Sequence, residues 1–395
     1  MILLARLRNI LQRAKFQRHT SVAQKTEPAR VLDFADALIG PPKGRALVIY
    51  SPESLQRFRD QGNYHFFNPD GAMVEICKAL NESGFIVDAI GIRDVKFHLT
   101  RDYDILVAHA GPAYCHFGEL IPPTCKVLDY GTGCHWREFN RQTETRYADF
   151  AHRHALGDLP PPMRPLVVEH EDYAAARSDL IVCLGAPTAR TFEPFAKCVV
   201  SVNNSAVVSA PPPPPASESR RRSFLYTGGT GNVQKGLDLL IEAFASEPYL
   251  HLHIDAPLEP EVLAACRREL RAPNIHYVEW MRKIPGGSNR IARRCAFTIY
   301  AGLNSGQSTA VVASLAYGLV PVMTRESSLG LGELEVPIET ACITDIRAAI
   351  RGASALPTEE IARRAALVAA AFCLRFSPAN FRGAFRTAID SLSPQ

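Results

Sequence analysis

From Arg45 onward the chain alternates short apolar runs with segments of helical period. "RALVIY", residues 45–50, is apolar on both faces, which predicts a strand buried in a parallel sheet. "AMVEICKALNESG" follows with the 3.6 period of an amphipathic helix, and Gly84 serves as its C-cap. "FIVDAIGI", "DILVAHAG", "KVLDYGTG" and "DLIVCLGA" are further strand-length runs, each of the last three closing in a glycine-containing turn. Helical material, including "EHEDYAAARS", separates the last two. Strands that alternate with helices predict a parallel sheet and a Rossmann-like half.

The second half repeats this grammar. "SFLYTGG", "LHLHIDA", "IHYVEWM", "FTIYAGL" and "LVPVMT" are predicted strands, with "GLDLLIEAFAS" and "EPEVLAACRREL" as helices and "FSPANFRGAFRTAIDSL" as a final one. Between the halves lies "SAPPPPPASESRRR", residues 209–222, whose five consecutive prolines cannot enter a central strand and predict an extended spacer. The pattern therefore predicts an α/β protein of two Rossmann-like domains facing across a cleft. Ligands of such sheets sit at the carboxyl ends of the strands. That directs attention to the loops after "LVIY", "LVAH" and "VLDY" in one half, and after "FLYT", "HIDA", "YVEW" and "TIYA" in the other.

Two of these loops carry phosphate-type chemistry. In "GLNSGQSTAVVASLAYGLVPVMT", residues 302–324, Ser308 and Thr309 fall at the start of a helix whose Val311, Val312, Leu315 and Leu319 point inward. Unpaired N–H groups and the helix dipole favour an anion there, and Gly306 permits close backbone approach. An ordinary N-cap accounts for the same serine and threonine. In "YTGGTGNVQKGLDLLIEAF", Gly228, Gly229 and Gly231 follow a strand and Lys235 precedes a helix, a set able to cradle an oxygen-rich ligand beside a positive charge. It satisfies neither the P-loop nor the G-x-G-x-x-G pattern.

Composition changes this picture little. With 47% hydrophobic and 21% charged residues over 395 positions, the chain is long enough for two cores, and its net charge of +4 is too small to imply nucleic acid. Much of the excess crowds into "MILLARLRNILQRAKFQRH", where Leu3, Leu4, Leu7, Ile10, Leu11 and Ala14 follow helical spacing. Such a basic amphipathic helix suits an anionic membrane surface, through residues 1–20, or a helix packed on its own domain. No apolar run approaches the length needed to span a bilayer. Ten scattered cysteines without a C-x-x-C pair predict reduced thiols and no metal.

"FLYTGGTGNVQKGLDLLIEAF" followed by "SGQSTAVVASLAYGLVPVMT" resembles the donor-binding domain of GT-B glycosyltransferases of the group 1, or family 4, type. "NPDGAMVEICKALNESGFIVDAIGI", "HEDYAAARSDLIVCLGAPTARTF" and "VVSVNNSAV" look like segments of its first domain. The resemblance implies a basic amphipathic extension over residues 1–44, an acceptor domain over 45–208, the Pro-rich linker 209–222, a nucleotide-sugar donor domain over 223–377, and a terminal helix 378–395 that packs back on the first domain. It implies a metal-independent transferase, and the basic amphipathic extension adds the expectation of a cell-envelope acceptor and a cytoplasmic place, at the inner membrane face where that segment binds it. Its substrates would be a nucleotide sugar and a glycan or lipid-linked acceptor, with no cofactor. The donor would meet Gly229, Thr230, Lys235, Ala256, Trp280, Met281, Ser305, Gly306, Gln307, Ser308 and Thr309. His109 or Asp70 would serve as base in an inverting reaction, with Gly71, Gly133 and His135 on the acceptor side.

The chain also departs from the family. Thr230 stands where the family usually has arginine, and Ser305 and Ala313 replace two glutamates, with Gln307 as a partial substitute. These departures leave open a non-catalytic binding protein with a degenerate donor site. An epimerase is also open, for which Asp70, Asp129, Asp255 and Glu279 are the candidate acids.

Overall fold

The protein is described here by a computed structural model, which covers residues 28–62, 69–157, 170–208, 210, 213–215, 217–277, 287–303 and 306–392. The basic segment 1–20 lies outside the described residues. Among the described residues thirteen strands form two sheets. The first holds β1 (Arg30–Phe34), β2 (Gly44–Tyr50), β3 (Phe85–Gly91), β4 (Ile105–Ala108), β5 (Lys126–Gly131), β6 (Leu180–Leu184) and β7 (Val199–Val202), in the order β1-β3-β2-β4-β5-β6-β7. The second holds β8 (Ser223–Thr227), β9 (His251–Asp255), β10 (Ile275–Tyr277), β11 (Phe297–Tyr300), β12 (Val320–Thr324) and β13 (Val336–Ile338), in the order β10-β9-β8-β11-β12-β13.

All pairings are parallel except β1 with β3. The parallel strands are short and buried on both faces, as in Ile105–Ala108 and Phe297–Tyr300, because helices cover both sides of each sheet. β1 lies within the stretch expected as an extension, so the ordered first domain starts well before residue 45. Its short "VLDF" gives weak strand periodicity. Pairing along the β3 edge, an Arg30–Asp94 ion pair and burial of Val31 and Phe34 hold it in place.

Two features tie the two sheets into one molecule. The helix Trp136–Arg153 belongs to the first half of the sequence, yet Tyr147 and Phe150 are buried in the second domain's core. Thr143, Arg146, Tyr147 and Phe150 follow helical spacing, so a single face meets the second domain. The final helix, Pro378–Asp390, returns to the first domain and buries Phe381, Phe385 and Ile389 among Val31, Val74 and Tyr130. Ser83 Oγ donates to Asp390 Oδ1 at 2.7 Å, and Arg382 pairs with Glu75 and Glu82.

The extended spacer expected of the Pro-rich segment is, in its described residues, held against the second domain. Arg220 donates to the carbonyls of Pro214 at 2.5 Å, Pro215 at 2.9 Å and Cys295 at 2.8 Å. A side chain at Gly318 would strike Pro213, so proline and glycine are in close contact. A proline run lacks N–H groups but exposes carbonyls, and a buried guanidinium with no carboxylate takes them.

The return of the last helix yields a prediction. Phe385→Ala should cost the first domain about 3–5 kcal/mol. Hydrogen exchange should show lost protection in β1–β5 while β8–β12 keep theirs; equal loss in both sheets would contradict this assignment.

Candidate functional site

Strand order locates two crevices. In the first sheet β3 and β4 lie on opposite sides of β2, and in the second β9 and β11 lie on opposite sides of β8. At such a switch point the loops leave in opposite directions and open a crevice at the strand carboxyl ends. The first crevice is bordered by Tyr50 and His109, whose rings lie 5.5 Å apart edge to face. The second is bordered by the loop after β8, which carries Lys235, and the loop after β11, which carries Gln307.

The two second-domain loops hold each other. Leu303 N–H donates to the Gln234 carbonyl at 3.0 Å, and Gly236, at φ +71°, lies so close that a Cβ there would sit 2.3 Å from the Ala301 carbonyl oxygen. Only glycine fits both the space and the backbone conformation. Thr324 and Ser327 hydroxyls donate to the Gly302 carbonyl at 2.8 and 3.0 Å. The half-buried Lys235 folds over the glycine turn, its ammonium 3.7 Å from the place a Gly229 Cβ would take. Gly229 is half-buried and Thr230 exposed beside it.

The remaining amides of the glycine turn have a different use from the expected ligand cradle. The Glu259 carboxylate accepts from Gly231 N–H at 2.5 Å and Asn232 N–H at 2.9 Å, while Asn232 Oδ1 accepts from Glu259 N–H. The protein thus supplies its own carboxylate where a phosphate oxygen was expected. The Gly228 N–H donates to the Asp255 carbonyl at 3.4 Å, and Gly229 lies beside Lys235. Ala256 is buried in the second core, so it offers a ligand only main chain.

Gln307 also takes a role other than the expected contact to a donor sugar. Its Oε1 accepts from Asn204 N–H at 2.7 Å and its Nε2 donates to Asn203 Oδ1 at 3.2 Å. Asn204 Nδ2 in turn donates to the Gln307 carbonyl at 2.7 Å and to Thr309 Oγ1 at 3.0 Å. Both amides are buried, so the loop after β11 is docked on the segment that leaves the first domain. Gly306, at φ +76°, faces Thr132 and Gly133 so closely that a Cβ would lie 2.1 Å from the Thr132 carbonyl oxygen. Ser308 and Thr309 do open the helix Thr309–Leu315, half-buried, and Ser308 makes no side-chain cap.

On the first-domain side, His109 Nδ1 lies 2.8 Å from the Tyr130 carbonyl. A carbonyl only accepts, so the proton resides on Nδ1 and the basic lone pair on Nε2. Burial lowers the pKa of this imidazole, against a smaller opposing effect of the Tyr130 carbonyl, so it is neutral at pH 7. Behind it, burial raises Asp129 from 3.8 to about 7, although the Ala110 and Tyr130 N–H groups favour its charged form. Glu171, which accepts from Trp136 N–H at 2.5 Å, is raised to about 8 by burial and then by Asp129.

His135 is not on an open acceptor face. It is fully buried, stacked on Phe195 at 4.2 Å and edge-on to Phe192, with burial lowering its pKa. Gly71 is buried in the helix Pro69–Glu82. The Asp70 side chain, Trp280, Met281 and Ser305 lie outside the described residues.

No protein-family model matches the sequence, and no curated protein matches it at a significant level. The fold does have solved counterparts. A sucrose-phosphate synthase from Thermosynechococcus elongatus superposes with a TM-score of 0.59 at 11% identity, covering 88% of this chain and 98% of its own. HepE of Anabaena, in complex with UDP and glucose, gives 0.56 at 12% identity, over 88% of this chain and 100% of its own. The lipopolysaccharide outer core galactosyltransferase WaaB, in its apo form, gives 0.54 at 11% identity, over 88% and 99%. The fold is GT-B.

Within this GT-B fold the structure brings Gly229, Thr230 and Lys235 to one crevice, beside the loop of Gly306, Gln307, Ser308 and Thr309. Sequence reading missed Glu259, Asn204 and Arg146. The last donates to the Ala301 carbonyl at 3.1 Å and the Ala341 carbonyl at 3.0 Å. An arginine beside the apolar positions Phe139, Tyr147 and Phe150 was the available signal.

Two predictions follow from this geometry. Gln307→Ala leaves the buried Asn204 N–H without an acceptor, so it should destabilise the protein by about 1–3 kcal/mol. Faster proteolysis between the domains would accompany it, and an unchanged melting temperature would refute the pin. Asp129 has a raised folded pKa, so its stabilising effect is complete below pH 3.8 and is lost as pH rises through about 7. Asp129→Asn should therefore gain on the wild type by up to about 1 kcal/mol per pH unit between pH 5 and 7. Parallel stability curves would show that Asp129 does not titrate in that window.

Proposed function

We propose that this chain is a glycosyltransferase, moving a sugar from a nucleotide-activated donor to a glycan or lipid-linked acceptor. The observation that carries the reading is Lys235, held over the Gly228–Gly229 turn at the switch point of the second sheet. Departure of a nucleoside diphosphate places new negative charge on phosphate oxygens. A preorganised ammonium beside a close-approach glycine turn stabilises that charge without a metal in the step. Solved proteins of the same fold support the donor class, since HepE is described in complex with UDP and glucose.

On the facing domain, His109 presents a neutral imidazole whose tautomer leaves Nε2 able to accept a proton. In an inverting reaction it takes the proton of the acceptor hydroxyl. Residues 1–20, basic and amphipathic, suit an acceptor carried at an anionic inner membrane surface, and polysaccharide synthesis at the cell envelope fits that placement. Asp70, Trp280, Met281 and Ser305 stay with the proposed site on the resemblance alone.

A second reading is a GT-B protein that binds a partner or glycan without catalysis. Glu259 on the glycine-turn amides and Gln307 on Asn204 favour it, because two groups expected to touch a donor are spent internally. Calorimetric titration with a panel of nucleoside diphosphates and their sugars separates the two. The transferase reading expects one nucleotide to bind and Lys235→Ala to weaken it at least tenfold, as a charged contact of about 1.5–3 kcal/mol implies. A folded protein that binds none of the panel is the non-catalytic one.

A further inference from the structure

His154, Glu242 and Cys266 meet where the two halves of the chain join, and we propose that they form a structural site for a zinc-class divalent cation. His154 directly follows the helix Trp136–Arg153, Glu242 lies on the helix Leu237–Ala245, and Cys266 ends the helix Pro260–Ala265. Among the described residues this is the one set of three His, Cys or carboxylate ligands whose donor atoms all lie within 4.8 Å of one another. The cysteine-rich stretch around residues 109–135 does not assemble such a set.

The geometry suits a small tetrahedral ion. His154 Nε2 lies 3.1 Å from Glu242 Oε1 without a hydrogen bond between them. Metal bonds of about 2.0–2.2 Å to N and O and about 2.3 Å to S give ligand separations of roughly 3.3–3.7 Å. The nitrogen and oxygen are already near that spacing, and the sulfur lies within 4.8 Å of both. Cys266 is fully buried, and Asp238, one turn before Glu242, keeps a buried Oδ1 with no partner.

Charge supports the same occupant. Arg153 donates to Glu242 Oε1 and Asp238 Oδ2, orienting both carboxylates from behind. A divalent ion displaces the thiol proton to solvent as the sulfur–metal bond forms. The two positive charges and Arg153 are then balanced by the thiolate, Glu242 and Asp238, with His154 neutral. The ion would bond the end of a first-half helix to two helices of the second domain.

The test uses the full chain, stripped of metal by a chelator and titrated with Zn(II) and Co(II). We expect one equivalent of each to bind, a thiolate-to-cobalt charge-transfer band, and a rise in melting temperature with Zn(II). Cys266→Ser and His154→Ala should each weaken binding at least tenfold, while Cys198→Ser leaves it unchanged. Absence of stoichiometric binding by the folded wild type overturns the proposal, as does tight binding that survives both substitutions. Neither result bears on nucleotide binding at Lys235.

Discussion

Arg146 brings a guanidinium to a place where only 7% of the residue meets solvent. Burial lowers its pKa, as a desolvated cation must show, and both Nη groups are satisfied by main-chain carbonyls, at Ala301 and Ala341. Those carbonyls follow β11 and β13, so one first-half side chain reads the ends of two second-domain strands. Ala301 is also the residue against which Gly236 is packed, and Gly236 opens the helix after Lys235. The positions of both second-domain loops therefore depend on a side chain that the first half of the sequence supplies.

The cleft follows from that contact. An apolar joint, Tyr147 and Phe150, lies on the same helix, and a polar joint, Asn204 with Gln307, lies at the other loop. Opening the first exposes aromatic surface worth about 1.5–3 kcal/mol per fully buried side chain, and opening the second strands buried amides. The side chains of Gln307 and Glu259 fix where the loops stand. Lys235 lies beside Gly229 at the second crevice.

Much of the architecture was legible in the sequence, because parallel strands buried on both faces read as short apolar runs between glycine turns. Val48, Val107, Leu128, Tyr226 and Ile299 all lie in strands expected from such runs. β1 and β13 were not legible. "RVLDF" and "VPI" are edge strands whose stability comes from a neighbour remote in sequence. Lys235 and Gly306 stand between a strand and a helix, as their sequence context predicts, because glycines and a cation at such a junction leave a local mark. Gln307 and Glu259 were misread or missed because their partners lie 103 and 28 positions away. Local spacing carries no record of which polar group will find which amide.

The first domain's core is closed by the last helix of the chain. Phe381 and Phe385 fill space beside Tyr130, so β2 to β7 can be complete in sequence while their sheet still lacks a wall. During synthesis the amino-terminal domain leaves the ribosome early, at about 5–20 residues per second. It must then wait for the whole second domain to be made before its last wall arrives. For that interval Val31, Val74 and Tyr130 present apolar surface to the cell. That domain is thus made before the second and finished after it, and for that time it is the part of the chain that chaperones have reason to hold.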